Sequence, residues 1–363
     1  MSQQVVDHQA DNHQEGHPQA GGQQAGDQPT GGEEMTMAKA LNTALADALR
    51  SDERVVLIGE DIGTLGGVFR ITDGLHADFG PQRVIDSPLA ESGILGTSVG
   101  MAYRGLRPVA EIQFDGFIYP AFDQIVAQVA KLHYRTDGNV RMPITIRVPY
   151  GGGIGAVEHH SESPESYFAH TAGLRVVSAA SPQEAYQTLR AAIASDDPVL
   201  FFEPKRRYWT KGQVDTSVTA DLDSASVVLA GKDVTLVTYG PLVATALDAA
   251  IAASDEGISV EVIDLRSISP IDLDTIAASV RRTGRLVVTH EAQGAYSVSA
   301  EVITSVVEEC FAHLEAPPQR VTGYDIPYPP AAVEDHFLPD LDRILDAVDR
   351  TLGRRNSLEV ASR

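Results

Sequence analysis

Several stretches of the 363-residue sequence place reactive side chains where a strand end or a glycine-rich turn would present them. In Pro88-Leu89-Ala90-Glu91-Ser92-Gly93-Ile94-Leu95-Gly96-Thr97-Ser98-Val99-Gly100, an acid stands where a short strand at Val84-Ile85 gives way to a helix. Carboxyl ends of parallel strands are where α/β folds put ligands, so Glu91 is a candidate proton-handling or ligand-holding group. An acid in the first turn of a helix also satisfies free amides, and the residues alone leave both readings open. Gly93, Gly96 and Gly100 fall on one helical face. Each costs about 1 kcal/mol relative to alanine, so three of them call for close approach by another backbone.

A second stretch runs from Gly151-Gly152-Gly153-Ile154-Gly155-Ala156 to His159-His160-Ser161-Glu162-Ser163. The glycines resemble a dinucleotide fingerprint, but that motif must open a helix so that amides face a pyrophosphate. Here Pro149 precedes them and two histidines follow, which reads as a loop carrying active-site groups. Histidine titrates near neutral pH and suits proton transfer; two surface loop histidines are the competing reading. Adjacent histidines are poorly placed to share a metal, and no third ligand stands at a recognised spacing. Phe114-Asp115-Gly116-Phe117-Ile118-Tyr119-Pro120-Ala121-Phe122 lies just past a strand end, where Phe117 could form a flat wall for a planar ring. His290-Glu291 ends another strand and reads as structural or interfacial. Tyr239-Gly240-Pro241 reads as a tight strand-to-helix turn.

The elements that must position these groups alternate. Met37, Leu41, Leu45 and Leu49 mark a helix from Met35, and apolar runs mark strands at 55–59, 109–114, 144–148 and 199–202. Helical stretches at 121–133 and 183–194 lie between them. After a polar, aperiodic segment at 210–224 come a strand at 234–240, a helix at 242–253, a strand at 260–265, a helix at 273–281, a strand at 286–289, a helix from about Ser297 and a last one at 341–352. Buried strands alternating with helices predict an α/β protein with mainly parallel sheets. The boundaries read as a tail at 1–34, one domain at 35–215 and a smaller one at 225–355.

The tail is rich in Gln, Gly, His, Asp and Pro and lacks the apolar residues needed to offset ordering entropy, so it reads as disordered. Its His8, His13 and His17 read as solvated. The net charge of −22 argues against a nucleic-acid partner, which would need clustered Lys and Arg. No apolar run approaches the roughly 18 residues that span a bilayer, and no basic-then-apolar leader opens the chain, so a cytoplasmic location is expected. The single cysteine, Cys310, excludes an internal disulfide and a cysteine-based zinc site.

Together these segments resemble one family. The carriers are Leu57-Ile58-Gly59-Glu60-Asp61, Gly66-Gly67-Val68-Phe69-Arg70, Leu89-Ala90-Glu91-Ser92-Gly93, Glu111-Ile112-Gln113-Phe114, Ala121-Phe122-Asp123-Gln124, His160-Ser161-Glu162-Ser163-Pro164-Glu165, Phe202-Glu203-Pro204-Lys205, Glu261-Val262-Ile263-Asp264-Leu265-Arg266 and His290-Glu291-Ala292. This run, covering about 35–350, is similar to β subunits of branched-chain 2-oxo acid and pyruvate dehydrogenases. The resemblance implies two three-layer domains, a thiamine pyrimidine-binding type followed by a transketolase C-terminal type.

It also implies roles. Glu91 would hydrogen-bond the aminopyrimidine of thiamine diphosphate and favour the imino tautomer that deprotonates the thiazolium carbon. Leu89, Gln113 and Phe117 would line the pocket, Phe117 standing where relatives often have tyrosine. His160 would assist acyl transfer to the lipoyl group of an acyltransferase component, with His159 as second choice. Relatives hold a monovalent cation, K+, through oxygens matching Ile144, Thr145, Ala192, Ser195 and Asp197; Ser195 and Asp196 depart from the family pattern. Enzymes that bind the cofactor's diphosphate carry Gly-Asp-Gly and, roughly 25 to 30 residues on, an Asn, which give oxygen ligands to Mg2+. Only Thr-Asp-Gly and Phe-Asp-Gly occur here. The resemblance therefore implies an α subunit that supplies the Mg2+-diphosphate half of an α2β2 heterotetramer, with the Gly93-Gly96-Gly100 face as a candidate contact. The expected reaction is decarboxylation of a branched-chain 2-oxo acid, with pyruvate as the alternative. A nicotinamide-dependent dehydrogenase would need a true phosphate-binding turn, and a non-catalytic scaffold would tolerate loss of Glu91.

Overall fold

The structure, a computed structural model, describes residues 32–354. The stretch read as a tail lies outside the described residues as far as position 31, and His8, His13 and His17 with it. Its last two residues depart from that reading. Glu33 and Glu34 open strand β1 (Glu33–Thr36), which pairs antiparallel with Lys211–Val214 inside the segment read as aperiodic. Backbone pairing at such an edge needs no apolar side chains, so periodicity could not announce it.

The helix Met37–Ser51 begins where Thr36 accepts the amide of Lys39 at 3.2 Å, and it buries Met37, Leu41, Leu45 and Leu49. Strands β2 (Val55–Gly59), β3 (Val84–Asp86), β4 (Arg107–Glu111), β5 (Thr145–Tyr150), β6 (Arg175–Ser178) and β7 (Val199–Pro204) form a parallel sheet in the spatial order β6-β7-β5-β4-β2-β3. After β8 (Lys211–Val214), strands β9 (Ser226–Leu229), β10 (Val234–Thr238), β11 (Val260–Asp264), β12 (Ser267–Ser269), β13 (Leu286–Gln293) and β14 (Gln319–Gly323) follow. Five of them make a second sheet, β14-β13-β10-β11-β9, parallel except for edge strand β9. β12 leaves this sheet and adds antiparallel to β6, closing the edge of the first.

Both sheets are covered on two faces. In the first, Ile58, Ala110, Ile146 and Leu200 enter one apolar cluster and their neighbours Leu57, Val109, Val199 and Phe201 enter another. In the second, Val237, Ile263 and Val288 enter the same cluster as Ile58, whereas Leu236, Val262 and Val287 face a third. The two three-layer domains thus share one core. No described helix is long and apolar enough to cross a membrane.

One expected helix is broken. Residues 121–133 divide into the end of a 3-10 turn (Asp115–Ala121), a π-helical segment (Gln124–Val129) and a short α-helix (Leu132–Arg135). Pro120 cannot donate within the first turn, and the wide turn is closed by Ala130 N–H to Ile125 O at 3.0 Å. This breaks a continuous helix directly beside the Phe117 turn, a setting where such irregularities are often functional.

Candidate active site

In open parallel sheets, ligands bind beyond the carboxyl ends of adjacent strands whose connections leave toward opposite sides. The connection from β2 runs to β3 and that from β4 to β5, so the first sheet switches direction between β2 and β4. Glu60 and Gln113 follow these two strand ends. The Gln113 amide Nε2 donates to the carbonyl of Glu60 and to Asp61 Oδ2, both at 3.3 Å, while Asp61 turns the chain with a φ of 59°. Burial raises the Glu60 carboxyl above the ordinary glutamate range, and the Glu91 and Asp61 carboxylates push it further. Sequence reasoning passes over Glu60, although the rule that singles out Glu91, an acid just past a strand end, applies to it equally.

Glu91 is the first residue of the helix Glu91–Tyr103 and is 8% exposed. Ala90 at the N-cap offers no side-chain bond, and among the described residues the Glu91 carboxylate neither caps an amide nor enters an ion pair. The helix-capping reading therefore loses its basis. An acid this deeply set and unbonded is free to accept a ligand's donor. Leu89, just before it, is 75% exposed. Among the described residues no backbone closes on the glycine face: a Cβ at Gly100 would meet nothing within 4 Å, and one at Gly96 only the side chain of Gln124. The approach that three helical glycines call for does not come from within the described chain.

At the turn on which this helix packs, aromatic and imidazole rings converge. The rings of Phe114 and His160 stack with centroids 4.0 Å apart and an interplanar angle of 23°; Phe117 meets His160 edge-on at 5.1 Å. The helix bearing Glu91 packs on the Phe117 turn, so acid, ring and imidazole belong to one region. The His160 ring nitrogen Nδ1 lies 2.9 Å from the carbonyl of His159. Burial depresses the His160 pKa, opposed by that carbonyl and reinforced by the charges of His159 and Lys205. His160 is half-buried and His159 exposed, which separates two residues that the sequence could not rank from chemistry alone.

The glycine loop serves a different purpose from phosphate binding. Gly152 N–H donates to Glu291 Oε2 at 3.1 Å, Gly153 N–H to Glu334 Oε2 at 3.1 Å and Gly155 N–H to Glu334 Oε1 at 2.9 Å. Carboxylates of the second domain thus occupy the amides that a pyrophosphate would need. Glu291 is also paired with Arg206, and His290 Nε2 lies 2.8 Å from Ser299 Oγ, its pKa pushed down to about 4 by burial. Glu291 thus belongs to the junction between domains, whereas the polar and ring partners of His290, Ser299 and Tyr239, lie in its own domain. Tyr239, stacked on His290 at 5.9 Å, donates to Glu165 Oε1 at 2.6 Å, and Gly240 makes the tight turn expected after it. The direction switch of the second sheet is therefore filled by protein.

The model of the transketolase pyrimidine-binding domain matches residues 33–210, and that of the transketolase C-terminal domain matches 223–344. The chain is 55% identical to a pyruvate dehydrogenase E1 component subunit beta from Leifsonia xyli, over 88% of this chain and 95% of that one. It is 54% identical to a 3-methyl-2-oxobutanoate dehydrogenase subunit beta from Mycobacterium tuberculosis, over 88% and 92%. The chain belongs to the 2-oxo acid dehydrogenase E1 β-subunit family. A 2-oxoisovalerate dehydrogenase subunit beta from Pseudomonas aeruginosa shares 45% identity over 88% and 95% of the two chains. Among solved structures, one described as "Split gene transketolase, inactive beta4 tetramer" has the same fold, with a TM-score of 0.74, 22% identity, and coverage of 90% of this chain and 100% of that one.

In this E1 β subunit, of the oxygens expected around a monovalent cation, that of Ser195 is bonded by a guanidinium. Arg107 Nη1 donates to the carbonyls of Ile193, Ala194 and Ser195 at 3.3, 3.3 and 2.9 Å and the side chain pairs with Asp196. Ile144 O accepts Val199 N–H at 2.9 Å within the sheet, where Thr145 is buried, Ala192 O accepts Ser195 N–H at 3.2 Å, and Asp197 lies 3.7 Å from Arg175. Arg107 thus places a positive charge at the carboxyl end of the helix Pro182–Ala194. Among the described residues, no group of three or more His, Cys, Asp or Glu could hold a metal ion.

Proposed function

We propose that this E1 β subunit provides the pyrimidine half of a thiamine diphosphate site and, with an α subunit, decarboxylates a branched-chain 2-oxo acid and passes the acyl group to a lipoyl-bearing acyltransferase. The observation that carries the reading is the unbonded, deeply set carboxylate of Glu91 at the start of a helix that packs on the Phe117 turn, where the Phe114, Phe117 and His160 rings cluster. These residues suit an aminopyrimidine: a carboxylate to accept from its ring nitrogen, a flat wall, and the exposed apolar Leu89 for a second surface to cover. When bound, thiamine diphosphate supplies the electron sink for loss of carbon dioxide.

The chain's own residues then have distinct tasks. Glu91 holds a proton at the pyrimidine nitrogen, and Gln113 keeps the Glu60-Asp61 turn in place beside it. Phe117 bears on the ring plane. During acyl transfer the electron pair left by decarboxylation would reduce the dithiolane: the acyl carbon would bond one sulfur as the S–S bond breaks, and the other sulfur would take a proton from the His160 imidazolium to become a thiol. The bond from the acyl carbon to the coenzyme would then break, with loss of the hydroxyl proton, to release the thioester. A depressed pKa makes that imidazolium a stronger acid. The Mg2+-diphosphate half belongs to the α subunit in an α2β2 assembly, and the uncovered Gly93-Gly96-Gly100 face is proposed as a contact for it. That the transketolase neighbour is described as an inactive tetramer of β chains supports a need for a partner. K+ at oxygens of Ile144, Thr145, Ala192, Ser195 and Asp197 rests on the family resemblance alone. The division into domains near 215–225 and a cytoplasmic location complete the reading.

Pyruvate is the second substrate reading, favoured by the name of the 55% identical Leifsonia relative. Side-chain selectivity of this kind turns on a few pocket contacts worth about 1–3 kcal/mol. Co-expression with an α subunit and measurement of thiamine-dependent decarboxylation of 3-methyl-2-oxobutanoate and of pyruvate decides between them. A higher kcat/KM on pyruvate overturns the branched-chain reading, and thiamine-independent or absent turnover on both overturns the function.

A further inference from the structure

We infer that the buried Asp115–Lys205 pair is a positioning device that locks the His160 loop against the Phe117 turn, and so sets the imidazole for acyl transfer. The inference rests on the functional reading above and adds two residues to it. Neither comes from the role assignments that the family resemblance implies.

Asp115 is wholly buried at the start of the 3-10 turn that carries Phe117, and Lys205 is wholly buried just past the end of β7. Their side chains pair through Asp115 Oδ1 and Lys205 Nζ. The second carboxylate oxygen, Oδ2, accepts the backbone N–H of Glu162 at 2.8 Å. One side chain therefore ties together the Phe117 turn, the last strand of the parallel sheet and the histidine loop. The loop lies close: a Cβ at Gly116 would stand 2.3 Å from the carbonyl of His159, so glycine is required there for the loop to seat. Tyr119 adds an outer tie, its hydroxyl donating to Glu162 Oε2 at 3.0 Å.

Burying two opposite charges is a poor means of stabilising a fold, because desolvation consumes most of the Coulombic gain. What such a pair does well is fix geometry. Lys205 Nζ also lies 5.9 Å from the centroid of Phe114, the ring on which His160 stacks, so the ammonium supports the same ring from behind. Stack, amide tie and ion pair all bear on the orientation of His160. Among the described residues Asp115 and Lys205 have no surface of their own to offer a ligand, and their work is done through the loop.

The test uses the α/β complex. In Asp115→Ala, hydrogen exchange measured without coenzyme should show the amides of residues 159–163 exchanging at least tenfold faster, with the helix Pro182–Ala194 unchanged. Acylation of a lipoylated domain should fall at least tenfold more than decarboxylation measured with 2,6-dichlorophenolindophenol as the two-electron oxidant. Gly116→Ala, which displaces the loop without touching the pair, should give the same imbalance and stands in if Asp115→Ala does not assemble. Unchanged exchange in 159–163, or equal loss of both rates, overturns the inference. A wild-type complex inactive in both rate assays overturns instead the function on which it rests, while the exchange measurement still decides whether the pair holds the loop.

Discussion

The Glu91 carboxylate lies near enough to Glu60, in the turn after β2, that its charge adds to burial in raising the proton affinity of Glu60. Two acids brought together in a partly buried site cost folding energy, and such arrangements are retained where function needs them. Glu60→Gln should therefore separate stability from activity. At pH 7 the melting temperature of the isolated chain should rise by about 1–2 °C, the shift expected for a fraction of a kcal/mol in a chain of this size. In the α/β complex, kcat should fall about tenfold or more, the scale of a lost proton-handling group. Calorimetry beside steady-state rates reads both, and a variant that loses stability together with activity refutes the argument.

Glu91 presents the opposite case, an acid without a partner in its own chain. Removing it leaves no orphaned donor behind and relieves the repulsion with Glu60, so Glu91→Ala should assemble and melt no lower than the wild type. Its turnover should fall by a factor on the order of 10² to 10⁴, the usual scale of a positioned proton-transfer group. Gel filtration with thiamine-dependent decarboxylation is the check. Activity within a few-fold of wild type would remove the residue from the chemistry and restore the scaffold reading.

Phe117 packs edge-on against His160 and partly against the core, and the proposed function gives its ring a second task as a wall for the coenzyme. Phe117→Leu keeps bulk and loses the flat face. An aromatic contact is worth about 0.5–1.5 kcal/mol beyond its area, so coenzyme affinity in the complex should weaken roughly three- to tenfold. Phe117→Tyr should bind within a factor of two of wild type. Titration followed by fluorescence or calorimetry distinguishes them, and equal affinity in both variants would place the ring outside the pocket.

The sequence carried the parallel strands and the strand-to-helix position of Glu91 because these depend on local signals. Val55–Gly59 appears at its expected bounds, as an unbroken apolar run must when both faces of a strand are buried. Glu91 was legible from its place between a strand and a helix. Edge elements were not: β8 is Lys-Gly-Gln-Val and β9 is half exposed, so neither shows the run that marks a buried strand. Asp115 and Lys205 stand 90 positions apart, and nothing local joins them. The same holds for the glycine loop, whose amides are claimed by Glu291 and Glu334 from beyond residue 290. Long-range pairing of buried charge was the part that sequence order concealed.

Glu165 offers a test of the junction between the domains that is independent of catalysis. Its carboxyl is fully buried, accepts the Tyr239 hydroxyl on one oxygen and leaves Oε2 unbonded. Burial raises its pKa to about 7, against an ordinary value of 4.5, with the Tyr239 bond opposing the rise. The folded state therefore holds a proton that the unfolded chain has released. The resulting stability is complete below pH 4.5, declines as pH climbs from there, and is lost by about pH 7. A shift of this size corresponds to about 3 kcal/mol over that window. Glu165→Gln keeps an acceptor for Tyr239 and cannot ionise, so it should escape the decline. Urea denaturation at pH 5 and pH 8 should show the variant gaining on the wild type by about 2–3 kcal/mol as pH rises. A constant difference between the two proteins at both pH values would mean that the carboxyl ionises in place, with water or a cation reaching the junction that the structure shows closed.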